Sequence, residues 1–254
     1  MGRLTGRTAV VTGASRGIGR AIAQRLAADG AEIAVHYGSG ESAAKETVAG
    51  IEKAGGRAFA VRAELGTAGD VDTLVTAVER GLAGRPLDIL VNNAAALPAG
   101  PIETDTPEQF DRLFAVNVKA PYFLIQRALP LLRDGGRIIT LTSVAARMAL
   151  PGQTSFAMGK GALETMTLTL ASALGTRGIT VNAVAPGATK TDVNVPVFEA
   201  PGVEELITGQ TALDRLGRAE DVADAVAFLA SDDGRWITGQ ILDASGGLHL
   251  GARG

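Results

Sequence analysis

Short apolar runs alternate with longer amphipathic runs along almost the whole chain. Residues 7–12, RTAVVT, predict a buried strand, and residues 17–30 predict a helix with Ile18, Ile22 and Leu26 on one face. The order repeats, with further strands predicted at 31–37, 57–63, 87–95, 136–143, 178–187 and 239–247. Near-continuous apolar strands joined by helices predict a parallel sheet covered on both faces. Right-handed crossovers then predict an α/β fold, a doubly wound Rossmann-type domain of about seven strands.

The remaining amphipathic runs predict helices at 41–56, 70–84, 108–133, 153–175 and 219–231. Pro121 and Pro130 fall inside the 108–133 run. A proline in a helix interior removes a hydrogen bond and clashes with the preceding turn, so we expect this helix to be bent or shortened. No linker, repeat or change in composition divides the chain, and a single domain over residues 1–254 is the simplest interpretation.

The charge and composition exclude several partners. A formal net charge of −3 gives no attraction to nucleic acid or to an anionic membrane. The chain has no Cys, no signal-peptide pattern at its start, and no apolar run that approaches the ~20 residues of a membrane-spanning helix. We therefore predict a cytoplasmic protein without nucleic-acid or membrane partners.

The two histidines, His36 and His249, lie far apart in sequence, and the acidic residues form no ligand cluster. We predict that both histidines are ordinary surface or terminal residues. We also predict that the protein has no catalytic metal.

A glycine-rich turn at residues 12–19, TGASRGIG, follows the first predicted strand and opens the first predicted helix. Gly13 permits a tight turn, Gly17 lets the backbone approach a pyrophosphate, and Gly19 allows close packing of the helix. The helix N-terminus supplies free N–H groups for phosphates. This context predicts a dinucleotide site, and the alternative is a plain strand–helix turn capped by Ser15.

The end of the second predicted strand indicates which dinucleotide binds. A site for NAD usually carries Asp or Glu there, and residues 35–38, VHYG, contain no acid. Tyr37 and Ser39 instead stand where a 2′-phosphate can be hydrogen-bonded, and Arg16 in the glycine turn offers a charged fork. The cofactor is therefore predicted to be NADP(H).

The glycine spacing resembles that of the short-chain dehydrogenase/reductase family, and the resemblance extends over almost the whole chain. Residues 92–95, NNAA, resemble the motif after the fourth strand, although Ala95 replaces its usual Gly. Asn117 in FAVNVKAP, Ser143 in TLTS, and residues 185–192, APGATKTD, match three further motifs. The sequence looks most similar to bacterial 3-oxoacyl-carrier-protein reductases and polyhydroxynaphthalene reductases.

The resemblance implies four catalytic positions, which are Asn117, Ser143, Phe156 and Lys160. In the family, Ser holds the substrate oxygen and Tyr donates a proton to it. Lys lowers the pKa of that Tyr and holds the nicotinamide ribose, and Asn holds a water that relays protons. Here the residue thirteen after Ser143 is Phe156, in the stretch SFAMGKGAL, and it has no hydroxyl.

Loss of a general acid typically costs ~10²–10⁴ in rate, so three hypotheses remain open. In the first hypothesis, the substrate has an iminium or hemiaminal carbon that needs no proton from residue 156. Alternatively, the chain is a ketoreductase of the 3-oxoacyl or polyketide type that carries an inactivating Tyr-to-Phe change. Thirdly, it binds NADP(H) without turnover. Slow protonation by Ser143 or by water is a variant of the first hypothesis.

The predicted cofactor site combines the glycine turn with positions that the resemblance implies: Gly13, Ser15, Arg16, Gly17, Ile18, Gly19, Tyr37, Ser39, Glu64, Leu65, Asn92, Ala94, Lys160, Pro186, Gly187, Thr189 and Thr191. By resemblance, residues 191–216 are a substrate lid, in which Val193, Val195, Val197 and Phe198 contact a bulky, weakly charged small molecule. The alternative is that these side chains pack within the lid itself. The family's long middle helices form subunit contacts, which implies a homotetramer.

Overall fold

The computed structural model describes residues 2–98 and 100–250. Its strands are β1 (Thr8–Val11), β2 (Glu32–Tyr37), β3 (Arg57–Arg62), β4 (Leu87–Asn92), β5 (Leu132–Leu141), β6 (Thr180–Pro186), β7 (Thr189–Lys190), β8 (Gly217–Arg218) and β9 (Ile241–Ala244). Its helices are α1 (Gly17–Ala28), α2 (Glu41–Lys53), α3 (Asp70–Leu82), α4 (Pro107–Phe114), α5 (Ala120–Ala128), α6 (Thr154–Leu174), α7 (Val195–Phe198), α8 (Val203–Gln210) and α9 (Ala219–Ala230).

Seven of these strands form one sheet, in the order β3-β2-β1-β4-β5-β6-β9, and every pairing is parallel. The order reverses between β1 and β4, where open α/β sheets leave a crevice at the carboxyl ends of the strands. The glycine turn leaves β1 at that crevice. The predicted doubly wound fold is therefore confirmed.

Two apolar clusters cover the two faces of the sheet. One joins Ile22 of α1 and Val226 of α9 to strand residues such as Val91. The other joins Leu74 of α3 and residues of α5 and α6 to strand residues such as Leu90. Adjacent strand residues point to opposite faces of the sheet. Because helices cover both faces, residues on both faces of these strands are apolar. No helix in the described part of the chain is long and apolar enough to cross a membrane.

The run predicted as one helix at 108–133 divides into α4, a π-helical turn and α5, and the prediction was wrong at its end, where residues 132 and 133 begin β5. Between α4 and α5 lies a π-helical turn, Ala115–Lys119, closed by the N–H of Ala120, which donates to the carbonyl of Ala115. Pro121 has no N–H, so it cannot donate to the carbonyl of Asn117, four residues earlier, as an α-helix requires. Helix α5 then ends at Ala128, before Pro130. The expected effect of the two prolines is thus observed.

The segment 191–216, predicted as a lid, follows β6 and contains the two short helices α7 and α8. Its two ends are held together, because β7 pairs with β8 through Thr189 with Gly217 and Lys190 with Arg218. The segment is therefore a loop that leaves the sheet at the carboxyl end of β6 and returns to nearly the same place.

Candidate active site

The glycine turn lies tightly against the loop that follows β4. Gly13 has φ +63, and a Cβ there would stand 2.9 Å from Cα of Ala94. A Cβ on Gly19 would stand 2.2 Å from the carbonyl oxygen of Gly13. The Thr12 hydroxyl accepts the N–H groups of Asn93 at 2.8 Å and Ala94 at 3.0 Å, which fixes the two loops together. Glycine is therefore required at position 13 by conformation and by space, and at position 19 by space.

The N-terminus of α1, which includes Ile18, already accommodates an anion. Arg16 is its exposed N-cap, and the N–H of Gly17 donates to Oδ1 of Asp192 at 2.9 Å. The other oxygen of Asp192 lies 3.4 Å from the Arg20 guanidinium. Helix N-termini attract negative groups through free N–H donors and the helix dipole. The turn thus has the donors and the charge that a pyrophosphate requires.

The predicted cofactor residues near β2 and β3 differ in accessibility. Ser39 and Glu64 are exposed, and Glu64 lies 3.7 Å from the guanidinium of Arg112. Ser15, Leu65 and Tyr37 are buried, and the Tyr37 ring packs in the cluster that contains Ile22. Their contacts with a cofactor remain predictions.

Two further sets of predicted residues lie at the carboxyl ends of β4 and β6. Asn92 is buried in the sheet, with Nδ2 3.5 Å from the hydroxyl of Thr140. At the end of β6, Pro186 and Gly187 approach β9 so closely that a Cβ on Gly187 would stand 2.7 Å from Cβ of Ser245. These positions shape the crevice through close packing.

Thr189 and Thr191 are organised by Asn194, which sequence reasoning did not identify. The Asn194 Oδ1 accepts the N–H of Thr191 at 2.8 Å and its hydroxyl at 3.1 Å. Its Nδ2 donates to the carbonyl of Thr189 at 2.8 Å. One side chain therefore sets the turn that begins the segment 191–216.

Helix α6 places Phe156 and Lys160 one turn apart, beside the end of β5. The Lys160 ammonium donates to the carbonyl of Leu141 at 2.8 Å and lies 5.3 Å from the centroid of the Phe156 ring. Ser143 follows β5 by two residues, and its Oγ accepts the N–H of Ala145 at 3.1 Å. The structure therefore brings three of the four predicted catalytic residues to one end of the sheet.

Burial has a direct electrostatic effect on Lys160, which is 4% exposed. Loss of hydration disfavours the charged form and lowers the pKa of its amine to about 8. At neutral pH the amine still carries a proton, and the adjacent aromatic face stabilises that cation. The group is therefore a buried cation close to its titration point.

Asn117, the fourth predicted catalytic residue, is buried in the π-helical turn before α5. Its amide makes two hydrogen bonds with the backbone of Ala96, one accepted from the N–H at 2.7 Å and one donated to the carbonyl at 3.0 Å. The side chain thus fixes the loop after β4. A proton-relay role for Asn117 remains a prediction.

A family model described as Enoyl-(Acyl carrier protein) reductase matches residues 13–249. The chain belongs to the short-chain dehydrogenase/reductase family. Over 257 residues, this short-chain dehydrogenase/reductase is 41% identical to the hydroxynaphthalene reductase-like protein Arp2 of Metarhizium brunneum, with 96% of this chain and 95% of that protein covered. The predicted family resemblance and the predicted class of oxidoreductase are confirmed.

Solved structures of named reductases have the same fold at high identity. The angucycline C-6 ketoreductase LanV with bound NADP is 53% identical, with a TM-score of 0.94 and 98% of each chain covered. A second LanV structure, with NADP and rabelomycin, is 52% identical, with a TM-score of 0.90 and coverage of 98% and 99%. LugOII, described as a promiscuous reductase that catalyses keto-reduction at C1 during lugdunomycin biosynthesis, is 55% identical, with a TM-score of 0.94 and coverage of 98% and 100%.

The prediction that His36 is an ordinary surface residue was wrong. Its side chain is 2% exposed and bonds to the glycine turn, because β2 lies inside a sheet that is covered on both faces. His249 is partly buried, with Nδ1 3.0 Å from Asp243. The described residues contain no group of three or more His, Cys, Asp or Glu that could hold a metal ion.

Proposed function

We propose that this protein is an NADPH-dependent reductase that delivers hydride to an iminium or hemiaminal-derived carbon of a bulky, weakly charged substrate. The observation that carries the proposal is the Phe156 ring, 5.3 Å from the Lys160 ammonium, at the position where the family resemblance implies a phenol. Hydride addition to a ketone leaves an alkoxide that must be protonated. Hydride addition to an iminium gives a neutral amine, so no acid at position 156 is needed.

The preference for NADPH is supported by the geometry of the predicted site. The N–H of Gly17 already binds a carboxylate, the end of β2 carries no acid, and Arg16 is exposed beside it. LanV, at 53% identity, was solved with NADP. When bound, NADPH supplies the hydride, and the glycine turn, Lys160 and the turn at Thr189 and Thr191 would hold it.

Ser143 and Lys160 have distinct roles in this proposal. The hydrogen bond from the Ala145 N–H uses a lone pair of the Ser143 oxygen, so the Ser143 O–H is free to donate to the heteroatom of the acceptor. The buried Lys160 ammonium holds the ribose and contributes the positive charge of the site. Asn117 fixes the backbone of Ala96 in the loop after β4.

A ketoreductase is the second candidate, and the names of similar proteins favour it. LanV is described as a C-6 ketoreductase and LugOII as catalysing keto-reduction, both at more than half identity. In this candidate, the proton comes from Ser143 or from water, and the rate is lower than a phenol would allow.

The surroundings of the site support a large, weakly charged substrate. Apolar side chains are exposed in the loop after β4 and in the segment 191–216, and they include Leu97, Ile102, Val193, Val197 and Leu206. Phe198, predicted to contact substrate, is instead buried. Exposed apolar side chains on α5 and α6, such as Phe123 and Leu168, support a homotetramer in which these helices meet.

The test is the oxidation of NADPH by the purified protein with a cyclic iminium and with a ketone of the same ring skeleton. We expect iminium turnover to exceed ketone turnover by about 100-fold, which is within the contribution of a general acid. Equal or faster ketone turnover would favour the ketoreductase. Tight NADPH binding with no turnover of either compound would count against both candidates for substrates of this shape.

Replacing Asp192 by asparagine is expected to tighten NADPH binding about threefold. The carboxylate occupies the Gly17 N–H and places a negative charge where the pyrophosphate of NADPH would bind, and charges near a helix N-terminus contribute ~0.3–1 kcal/mol. The dissociation constant is measured by NADPH fluorescence. Asp224→Asn is the matched control, because Asp224 pairs with Arg25 of the same helix α1. Weaker binding by D192N would show that Asp192 supports the cofactor site.

A further inference from the structure

His36 connects the glycine turn to the end of β3 through both nitrogens of its ring. Nδ1 accepts the N–H of Gly13 at 3.0 Å, and Nε2 lies 2.9 Å from the carbonyl oxygen of Ala63. An N–H can only donate and a carbonyl can only accept, so the two partners require the neutral tautomer with its proton on Nε2. The imidazole therefore spans the two segments as an acceptor on one side and a donor on the other.

The backbone of β2 strengthens this connection. The N–H of Ala14 donates to the carbonyl of His36 at 2.8 Å, and the N–H of Ala63 donates to the carbonyl of Tyr37 at 3.1 Å. Residues 13 and 14 are therefore attached to position 36 by one side-chain bond and one backbone bond. Burial lowers the pKa of His36, which agrees with a neutral ring.

The N–H of Gly13 has the His36 ring as its acceptor. With φ +63, Gly13 leaves the strand conformation of β1 and is pressed against Ala94. A buried N–H without an acceptor is costly, so loss of the imidazole acceptor favours another orientation of this peptide. The peptides that follow it lead directly into the N-terminus of α1.

We propose that His36 is a positioning residue for cofactor binding, because its ring clamps the Gly13 peptide to the end of β3 and so orients the amides that bind the pyrophosphate. The proposal rests on the NADPH binding proposed above. His36 is not placed in contact with the cofactor, and it acts through the backbone of the turn. A residue that merely filled the core would stabilise the fold without affecting NADPH affinity.

Three substitutions separate the two hydrogen bonds. In His36→Asn, Oδ1 takes the place of Nδ1 and keeps the bond to Gly13. In His36→Gln, the terminal amide nitrogen takes the place of Nε2 and keeps the bond to Ala63. His36→Phe keeps a ring and loses both bonds. Thr167→Val is the control, because it removes a buried hydrogen bond to Leu163 in α6, away from the turn.

We expect NADPH to bind H36N within about twofold of the wild-type affinity, and H36Q and H36F about tenfold more weakly, because both of these variants lose the bond to Gly13. The value of kcat at saturating NADPH should stay unchanged. Without NADPH, amide exchange over residues 12–16 should accelerate in H36Q and H36F and not in H36N or T167V.

Equal affinities for H36N and H36Q, or affinities unchanged in all three variants, would overturn the positioning role. If H36F fails to fold, the comparison of H36N with H36Q still decides. A wild-type protein that binds no NADPH would overturn both this proposal and the proposed function. Normal binding by the wild type and by H36Q would overturn only the role of His36.

Discussion

Phe156→Tyr is expected to raise the rate of ketone reduction about 10²–10⁴-fold, the usual contribution of a positioned general acid. Reduction of an iminium with the same ring skeleton should change by less than about threefold, because its product needs no proton at that position. The rates are compared as kcat/KM for the two compounds with the wild-type protein and the variant. The substitution adds one oxygen atom to an existing ring, so it should leave the fold intact.

The expected gain in ketone reduction follows from the positions of Phe156 and Lys160, which α6 places next to the end of β5. The ring of Phe156 is 5.3 Å from the Lys160 ammonium, and that cation is buried. A free tyrosine has a pKa of about 10, and a nearby positive charge favours the phenolate. The pKa of a tyrosine at position 156 would therefore fall toward neutral pH, where proton transfer is most effective.

Phe228→Tyr is the matched control, since it adds the same hydroxyl to a partly buried ring of α9. We expect it to change neither rate. An equal gain for ketone and iminium with F156Y would mean that proton supply limits both reactions, and the iminium proposal would be wrong. No gain for either compound would mean that position 156 does not face the reacting atoms.

Regular periodicity made most of the fold predictable. Strands β1, β2, β4 and β6 are buried along almost their whole length, and α1 shows its apolar residues at helical spacing, so local sequence and tertiary environment agree. The glycine turn was predictable for the same reason, because Gly13 and Gly19 meet a requirement of backbone geometry that few other residues satisfy.

Features that depend on contacts distant in sequence were not predictable. The partners of His36 are Gly13 and Ala63, more than twenty residues away on either side, and no local pattern marks such a bond. The contact of Asp192 with Gly17 joins residues 175 positions apart. The π-helical turn before Pro121 had a local signal, the missing N–H, but the signal indicated a distortion without its type.

Lys160→Met is expected to reduce kcat/KM by about 10²-fold or more and, at neutral pH, to raise the free energy of unfolding by about 1 kcal/mol. Activity falls because the variant loses the cation that is proposed to hold the ribose, and small misplacements of a reactant are costly. Stability rises because methionine fills a similar space without a charge. Turnover and thermal unfolding are measured on the same preparation.

The size of the stability gain follows from burial. The difference between the ordinary pKa of 10.5 and a pKa of about 8 for Lys160 corresponds to about 3 kcal/mol of unfavourable desolvation. Loss of the hydrogen bond to the Leu141 carbonyl offsets about 1 kcal/mol, and loss of the contact with the Phe156 ring offsets about 1 kcal/mol more. The remaining gain should raise the melting temperature by about 2–4 °C.

The pH dependence of the free energy of unfolding tests whether the buried charge of Lys160 is the cause of the stability gain. Below pH 8 the amine is protonated in both states, and the folded wild type bears the full desolvation cost. Between pH 8 and 10.5 the unfolded wild type binds more protons than the folded wild type, so its free energy of unfolding rises with pH. The stability advantage of K160M over the wild type therefore shrinks over this range. Lys119→Met, at an exposed lysine of the π-helical turn, is the control for replacing a lysine by methionine where no charge is buried. A K160M advantage that stays constant from pH 7 to 10.5 would mean that burial of the charge is not its origin.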